Sequence, residues 1–194
     1  KDNVCQKRFL KNTDRSNSLW MTPIEGSKAL FVTEDPLDAI AHSQLFPGAR
    51  YAYLCTGGTS TKAQREMIHS FSQKFKLPII LGNDNDLAGQ LENFKLAYHT
   101  ANIEYAINSK TQRVLLTVNG AEREWGKDEI VAALQAVMKQ RPNMILSIPW
   151  AKDWNDDLRS SKKSISLRIA ENMARVQIET TKSEQRGMIA GKLP

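Results

Sequence analysis

The segment Pro78–Gln90, PIILGNDNDLAGQ, runs from apolar residues directly into Asp84-Asn85-Asp86. Two carboxylates one residue apart repel each other unless a cation neutralises them or one takes up a proton. In an extended segment residues i and i+2 point the same way, so Asp84 and Asp86 could grip one ion or bridge two. Further acids stand after other apolar runs: Glu34 and Asp35 after KALFVT, and Asp153, Asp156 and Asp157 after NMILSIPWAK. This set holds oxygen donors and no histidine or thiol, which suits magnesium or manganese and not zinc. Such ions stabilise charge on a phosphoryl group during displacement. Taken singly, each acid has a plainer use: Asp35 or Asp86 could cap the helix that comes after it. A calcium loop is not indicated, because the glycine at position six and the glutamate at position twelve are absent.

For these acids to meet, the chain must bring several strand ends to one edge. KALFVTED reads as a strand and PLDAIAHSQLF as a helix with Pro36 in its first turn. ARYAYLC is a second strand, and KAQREMIHSFSQKF a helix with Met67, Ile68, Phe71 and Phe75 on one face. KLPIILGN is a third strand and LAGQLENFKLAYHTAN a third helix. Alternating strands and helices predict an α/β fold, a Rossmann-like, mostly parallel sheet with helices on both faces. Ligands of such sheets sit beyond the carboxyl ends of the strands, where all three acidic groups are expected.

After Ile103 the pattern changes. NIEYAIN is compatible with another strand, and RVLLTVNGAEREW reads as a hairpin turning at Asn119-Gly120. KDEIVAALQAVMKQ reads as an amphipathic helix, so about 108–142 is expected to be a hairpin-plus-helix insertion. NMILSIPW resumes the core. The expected organisation is an N-terminal basic extension over 1–27, the α/β domain over 28–158, and a C-terminal helix and tail over 159–194.

The 194 residues carry a net charge of +6, and 41% of them are hydrophobic. Residues 1–20 hold five Lys/Arg against two acids, 21–150 thirteen against thirteen, and 151–194 nine against six. Basic flanks around an acidic centre suit a polyanion held by its phosphates, although a solvated surface has the same composition. With two cysteines, Cys5 and Cys55, neither a disulfide framework nor a zinc site is indicated, and Cys55 is expected to be a buried thiol. No apolar run is long enough for a bilayer and no signal peptide is visible, so a cytoplasmic location is expected. The first residue is lysine, so the chain is read as part of a longer protein. TGGTS, with Gly57 and Gly58, could cradle a phosphate through backbone N–H groups or be a turn. His42, His69 and His99 are expected at the surface or core edge. Trp150 and Trp154 could stack on unpaired bases, but packing against the sheet is the preferred reading.

Together these segments resemble the Toprim domain of bacterial primases, type IA and type II topoisomerases and overcoming-lysogenization-defect nucleases. FVTEDPLDAIA resembles its first motif, a strand ending in glutamate with an aspartate four residues on. LGNDNDLAG is similar to its Asp-x-Asp motif in the form primases use, and CTGGTS to the primase glycine turn after the second strand. IPWAKDWNDDL is similar to the closing segment of primases and of Toprim-like domains in plasmid and mobile-element replication or mobilisation proteins. The resemblance covers 28–107 and 143–158. It implies Glu34, Asp84 and Asp86 as catalytic residues, with Glu34 as general acid/base, the same three as Mg²⁺ or Mn²⁺ site residues with Asp153 and Asp156 as supporting acids, and Gly57, Gly58 and Lys152 as phosphate or nucleic-acid contacts. The function implied is magnesium-dependent nucleotidyl or phosphodiester transfer on DNA, single-stranded or nicked, in a primase-like module with other domains of a parent protein as partners. The alternatives are a non-catalytic DNA- or partner-binding module and a metal-dependent nuclease. Two positions depart from the pattern: Asp35 replaces a glycine, and Leu87 stands where primases often carry a basic residue.

Overall fold

A computed structural model describes residues 13–161. The C-terminal helix expected from Ser164 lies outside the described residues, as does Cys5. Among the described residues eight strands form two sheets, accompanied by five helices, and the chain divides into compact units at 1–157 and 158–194.

The main sheet contains β1 (Trp20–Met21), β2 (Ala29–Thr33), β3 (Tyr51–Cys55), β4 (Ile79–Leu81) and β8 (Met144–Leu146), in the order β1-β3-β2-β4-β8. All pairings are parallel except that of β1 with β3. Every residue of β2 and β4 is buried, so both faces of the sheet's centre are covered. That accounts for runs such as ALFVT and IIL, which show no polar alternation. The fold is the α/β, Rossmann-like one expected.

The connecting helices are α1 (Pro36–Leu45), α2 (Lys62–Phe75) and α3 (Leu87–Ala97). Thr61 and Gln64 form a reciprocal capping box at the start of α2. Helix α3 is buried at every residue but Ala88. This accounts for its lack of a polar face. It is enclosed by the sheet and by α4 (Lys127–Gln140), against which it packs.

The second sheet is an antiparallel meander of β5 (Ile103–Asn108), β6 (Arg113–Val118) and β7 (Ala121–Trp125). Asn119 and Gly120 turn the β6–β7 hairpin at φ 51° and 85°, the left-handed pair that a tight hairpin demands. The change of architecture falls at Ile103, where the sequence pattern also changes, because β5 pairs with β6 throughout and is not in the parallel sheet. Val114, Leu116, Ile130 and Leu134 join the core cluster of the main sheet, which makes the insertion part of the core.

The stretch before residue 28, read from its charge as an extension, is also built into the fold from Thr13 onward. Trp20 and Met21 pair with Cys55 and Leu54, and Ile24 is buried. Gln64 Nε2 donates to the carbonyls of Arg15 and Ser18 as well as Thr56. A charge count could not show this, since the anchors are backbone carbonyls.

Cys55 is a buried free thiol, as expected, and burial pushes it up to about 12. His42 is not at an edge. It is 3% exposed, packed among Phe31, Phe46, Tyr53 and Trp154, and its Nδ1 bonds the Tyr53 hydroxyl at 3.0 Å. His69 and His99 do occupy a half-buried edge, stacked with ring centroids 3.4 Å apart.

Burial lowers His42 to about 3 from its ordinary 6.5. The folded state keeps it neutral where the unfolded chain takes up a proton, so its contribution is complete above 6.5 and falls as pH drops toward 3. Urea melts of wild type and His42→Gln between pH 7 and pH 5 should therefore diverge in slope by up to about 1.4 kcal/mol per pH unit, the wild type being steeper. Parallel slopes would refute the neutral buried imidazole.

Candidate functional site

The parallel pairing of β2 with β4 matches Val32 to Leu81. The residues beyond the two strand ends, Glu34-Asp35 and Gly82-Asn83-Asp84, therefore emerge at one edge. Two backbone bonds knit the strand ends together: Gly82 N–H donates to the Val32 carbonyl, and Gly57 N–H, after β3, donates to the Glu34 carbonyl.

Asp84 is a strongly perturbed carboxylate at this edge. It is pushed up to about 7 by burial and then by Asp38, Asp86, Glu34 and Asp153 in turn. Four acids on three separate βα turns thus share a field with Asp84. Asp156 is not among them.

The loop that carries Asp84 is fixed from beneath by buried amides. Asn83 Nδ2 donates to Asn93 Oδ1 at 2.9 Å, and Gln90 Nε2 donates to the Asp84 carbonyl at 2.8 Å. Asn83, Gln90 and Asn93 are each at most 2% exposed. Gly89 is a spatial necessity, since a Cβ there would lie 2.7 Å from Asp84 N and nearer still to the carbonyl oxygen. Gly82 faces the Phe31 ring in the same way, and its carbonyl accepts from Trp154 Nε1 at 2.8 Å.

The plainer use of single acids holds at three positions. Asp35 caps α1 through Leu37 N–H at 2.8 Å, and Asp86 caps α3 through Gly89 N–H at 2.9 Å. Asp153 accepts from Asp156 N–H at 2.7 Å at the start of α5 (Trp154–Ser161). Capping engages Oδ1 of Asp86, while Oδ2 lies 3.7 Å from Lys152 Nζ. Asp157 accepts from Trp150 and Ala151 N–H, both at 2.8 Å, and so clamps the turn holding Lys152.

The glycine loop after β3 is a turn. Gly57 and Gly58 have φ of 73° and 124°, Thr56 Oγ1 bonds the Gly58 carbonyl at 2.6 Å, and Arg15 donates to the Gly57 carbonyl. The expected phosphate contact through the Gly57 amide is replaced by its bond to Glu34. Ser60 N–H is likewise taken up by the buried Glu92, which also pairs with Lys95 at 2.7 Å. The two tryptophans diverge: Trp154 is 3% exposed, while Trp150 is 53% exposed.

Sequence reasoning misses Asp38 as a site residue, although it is the aspartate four residues after Glu34. It is 6% exposed, accepts from Asn155 Nδ2 at 2.8 Å, and is the first of the charges raising Asp84. Its position inside an amphipathic helix gives it the look of a solvent-facing acid. The amide chain Asn83–Asn93–Gln90 has a visible signal, two amide side chains three residues apart in helix α3.

Among the described residues no group of three or more His, Cys, Asp or Glu side chains is gathered closely enough to hold a metal ion. That does not conflict with magnesium, which takes one or two carboxylates and completes its octahedron with water and substrate phosphate oxygens. The all-oxygen donors and the crowded Asp84 fit such a cation.

An acidic site thus stands at the carboxyl edge of a parallel sheet, with a glutamate on one turn and an Asp-x-Asp on another. Residues 31–113 match the family described as Toprim-like. Domains of this kind are generally metal-dependent modules of DNA-related nucleotidyl or phosphoryl transfer, and typically bind Mg²⁺. No curated protein and no solved structure matches the chain. Among the described residues no helix is long and apolar enough to cross a membrane.

Because the fold holds Asp84's proton more tightly than the unfolded chain does, ionising it opposes folding, and stability falls as pH rises from 3.8 toward 7. In EDTA, Asp84→Asn should therefore melt higher than wild type at pH 8, with the gap closing toward pH 5. An Asn variant melting below wild type at pH 8 would contradict the crowded-carboxylate account.

Proposed function

We propose that this domain performs magnesium-dependent nucleotidyl or phosphodiester transfer on DNA, in a primase-like module of a cytoplasmic replication or plasmid-mobilisation protein. The reading is carried by the placement of Glu34 and Asp84 beyond the paired ends of β2 and β4, where burial and then repulsion from Asp38, Asp86, Glu34 and Asp153 raise Asp84, and a cation or a proton would relieve that repulsion. The Toprim-like match supports it.

In this reading Asp84 and Oδ2 of Asp86, the oxygen facing Lys152, would hold the ion, with Asp153 and Asp156 behind them. When bound, Mg²⁺ neutralises charge that builds on the phosphoryl oxygens. Glu34 moves a proton at the attacking or leaving oxygen of the phosphodiester, a role that serves bond making and bond breaking alike. Asp38, held by Asn155, keeps the field at Asp84 negative. Lys152, which sits 3.7 Å from Asp86, would contact a backbone phosphate once an ion answered that carboxylate, and Gly58 would line the approach. Single-stranded or nicked DNA is the expected substrate, and further domains of a larger parent protein are the expected partners.

A second reading has its own support. Asp86 is already engaged by a helix N-terminus and a lysine, an arrangement suited to a binding module that holds DNA or a partner without chemistry.

Three measurements separate these readings. Mg²⁺ or Mn²⁺ should raise the Tm of the wild type but not of Asp84→Asn. Labelled single-stranded DNA with Mn²⁺ should be extended when nucleotides are present; shortening without nucleotides identifies a nuclease. DNA binding that is equal in wild type and Asp84→Asn, with no product in either assay, would leave only the binding module.

A further inference from the structure

Asn85, the middle residue of the acidic loop, is gripped from two sides. Its N–H donates to the Lys152 carbonyl at 2.7 Å. Its own carbonyl and side-chain oxygens accept from Lys127 Nζ at 3.3 and 3.2 Å. Lys127 is the first residue of α4, so the insertion places an ammonium beside the middle residue of Asp84-Asn85-Asp86.

The helix that opens at this loop supplies no such charge. Helix α3 starts directly after Asp86 with the buried Leu87, and has no lysine or arginine in its first turn. Lys152 lies 3.7 Å from Asp86, so its charge is partly answered by a carboxylate. The two oxygens that fix Lys127 are neutral amide oxygens. An ammonium has three N–H donors, of which these contacts engage two. Lys127 is only half-buried and remains within reach of an incoming anion.

We propose that Lys127 is a second phosphate-binding cation of this site, beside Lys152, and that the insertion exists in part to deliver it. Its third donor contacts a non-bridging oxygen of a polynucleotide phosphate, while its bonds to Asn85 fix that oxygen's position relative to Asp84 and Asp86. The proposal rests on the reading of the domain as a metal-dependent module acting on DNA, and it gives the second sheet and α4 a part in substrate binding.

The competing possibility is that Lys127 merely ties the insertion to the loop. Lys127→Gln separates the two, because the amide keeps a donor for Asn85 and loses the charge; Lys127→Arg keeps both. Anisotropy of a fluorescein-labelled oligothymidylate should be titrated with the full chain in Mg²⁺ at several NaCl concentrations, alongside Tm. Lys127→Gln should weaken binding several-fold and flatten the log Kd against log salt slope by about 0.7, the value for one phosphate contact on a single strand. Its Tm should stay near wild type, and Lys127→Arg should restore the slope. A wild-type slope in Lys127→Gln would overturn the proposal. An Asp84-independent response to Mg²⁺, with the slope change intact, would instead count against the catalytic reading alone. Absence of oligothymidylate binding by the wild type would overturn both.

Discussion

The register of β2 against β4 is the constraint on which the rest depends. With Leu30, Phe31 and Val32 opposite Ile79, Ile80 and Leu81, both strands stop at the same level, and the turns leaving them must share the space beyond. A one-residue slip would turn each strand's side chains to the opposite face and separate Glu34 from Asp84. The fully buried strands make such a slip prohibitive, since burying these side chains contributes about 1.5–3 kcal/mol for each large one. The hydrophobic core therefore enforces an electrostatically unfavourable edge. Packing tolerates the repulsion because its driving force is set elsewhere in the sheet.

Rigidity at the edge comes from polar groups that are themselves buried. Amides of Asn83, Asn93 and Gln90 hold the Asp84 loop from α3, Trp154 holds Gly82, and Asp157 holds the turn that carries Lys152. Buried polar groups left unpaired are costly, so these bonds admit few alternative loop conformations. The carboxylates thus project from a framework that does not need to rearrange when a ligand arrives, a property that favours electrostatic work at a fixed point.

Much of this architecture is legible in the sequence because strand and helix periods differ. ALFVT, YAYLC and IIL, each trailed by a helical pattern, point to the parallel sheet, and Asn119-Gly120 points to the hairpin. The acids are legible as a group because each stands after an apolar run. Relations without a local pattern are not. The pairing of Trp20-Met21 with β3, the burial of His42 among aromatics and the reach of Lys127 to Asn85 join residues that only folding brings together. The amide of Gly57 belongs with these, because its partner is a backbone carbonyl and leaves no trace in residue type.

The two glycines that bracket the acidic loop answer to a different physical constraint from the acids between them. Gly82 yields to the Phe31 ring and Gly89 to the Asp84 backbone, so both are demanded by packing whatever the domain does. Asp84 is demanded by nothing in the packing, and its ionised form burdens the fold. A neutral residue at 84 would relieve that burden and leave the packing at 82 and 89 as it is.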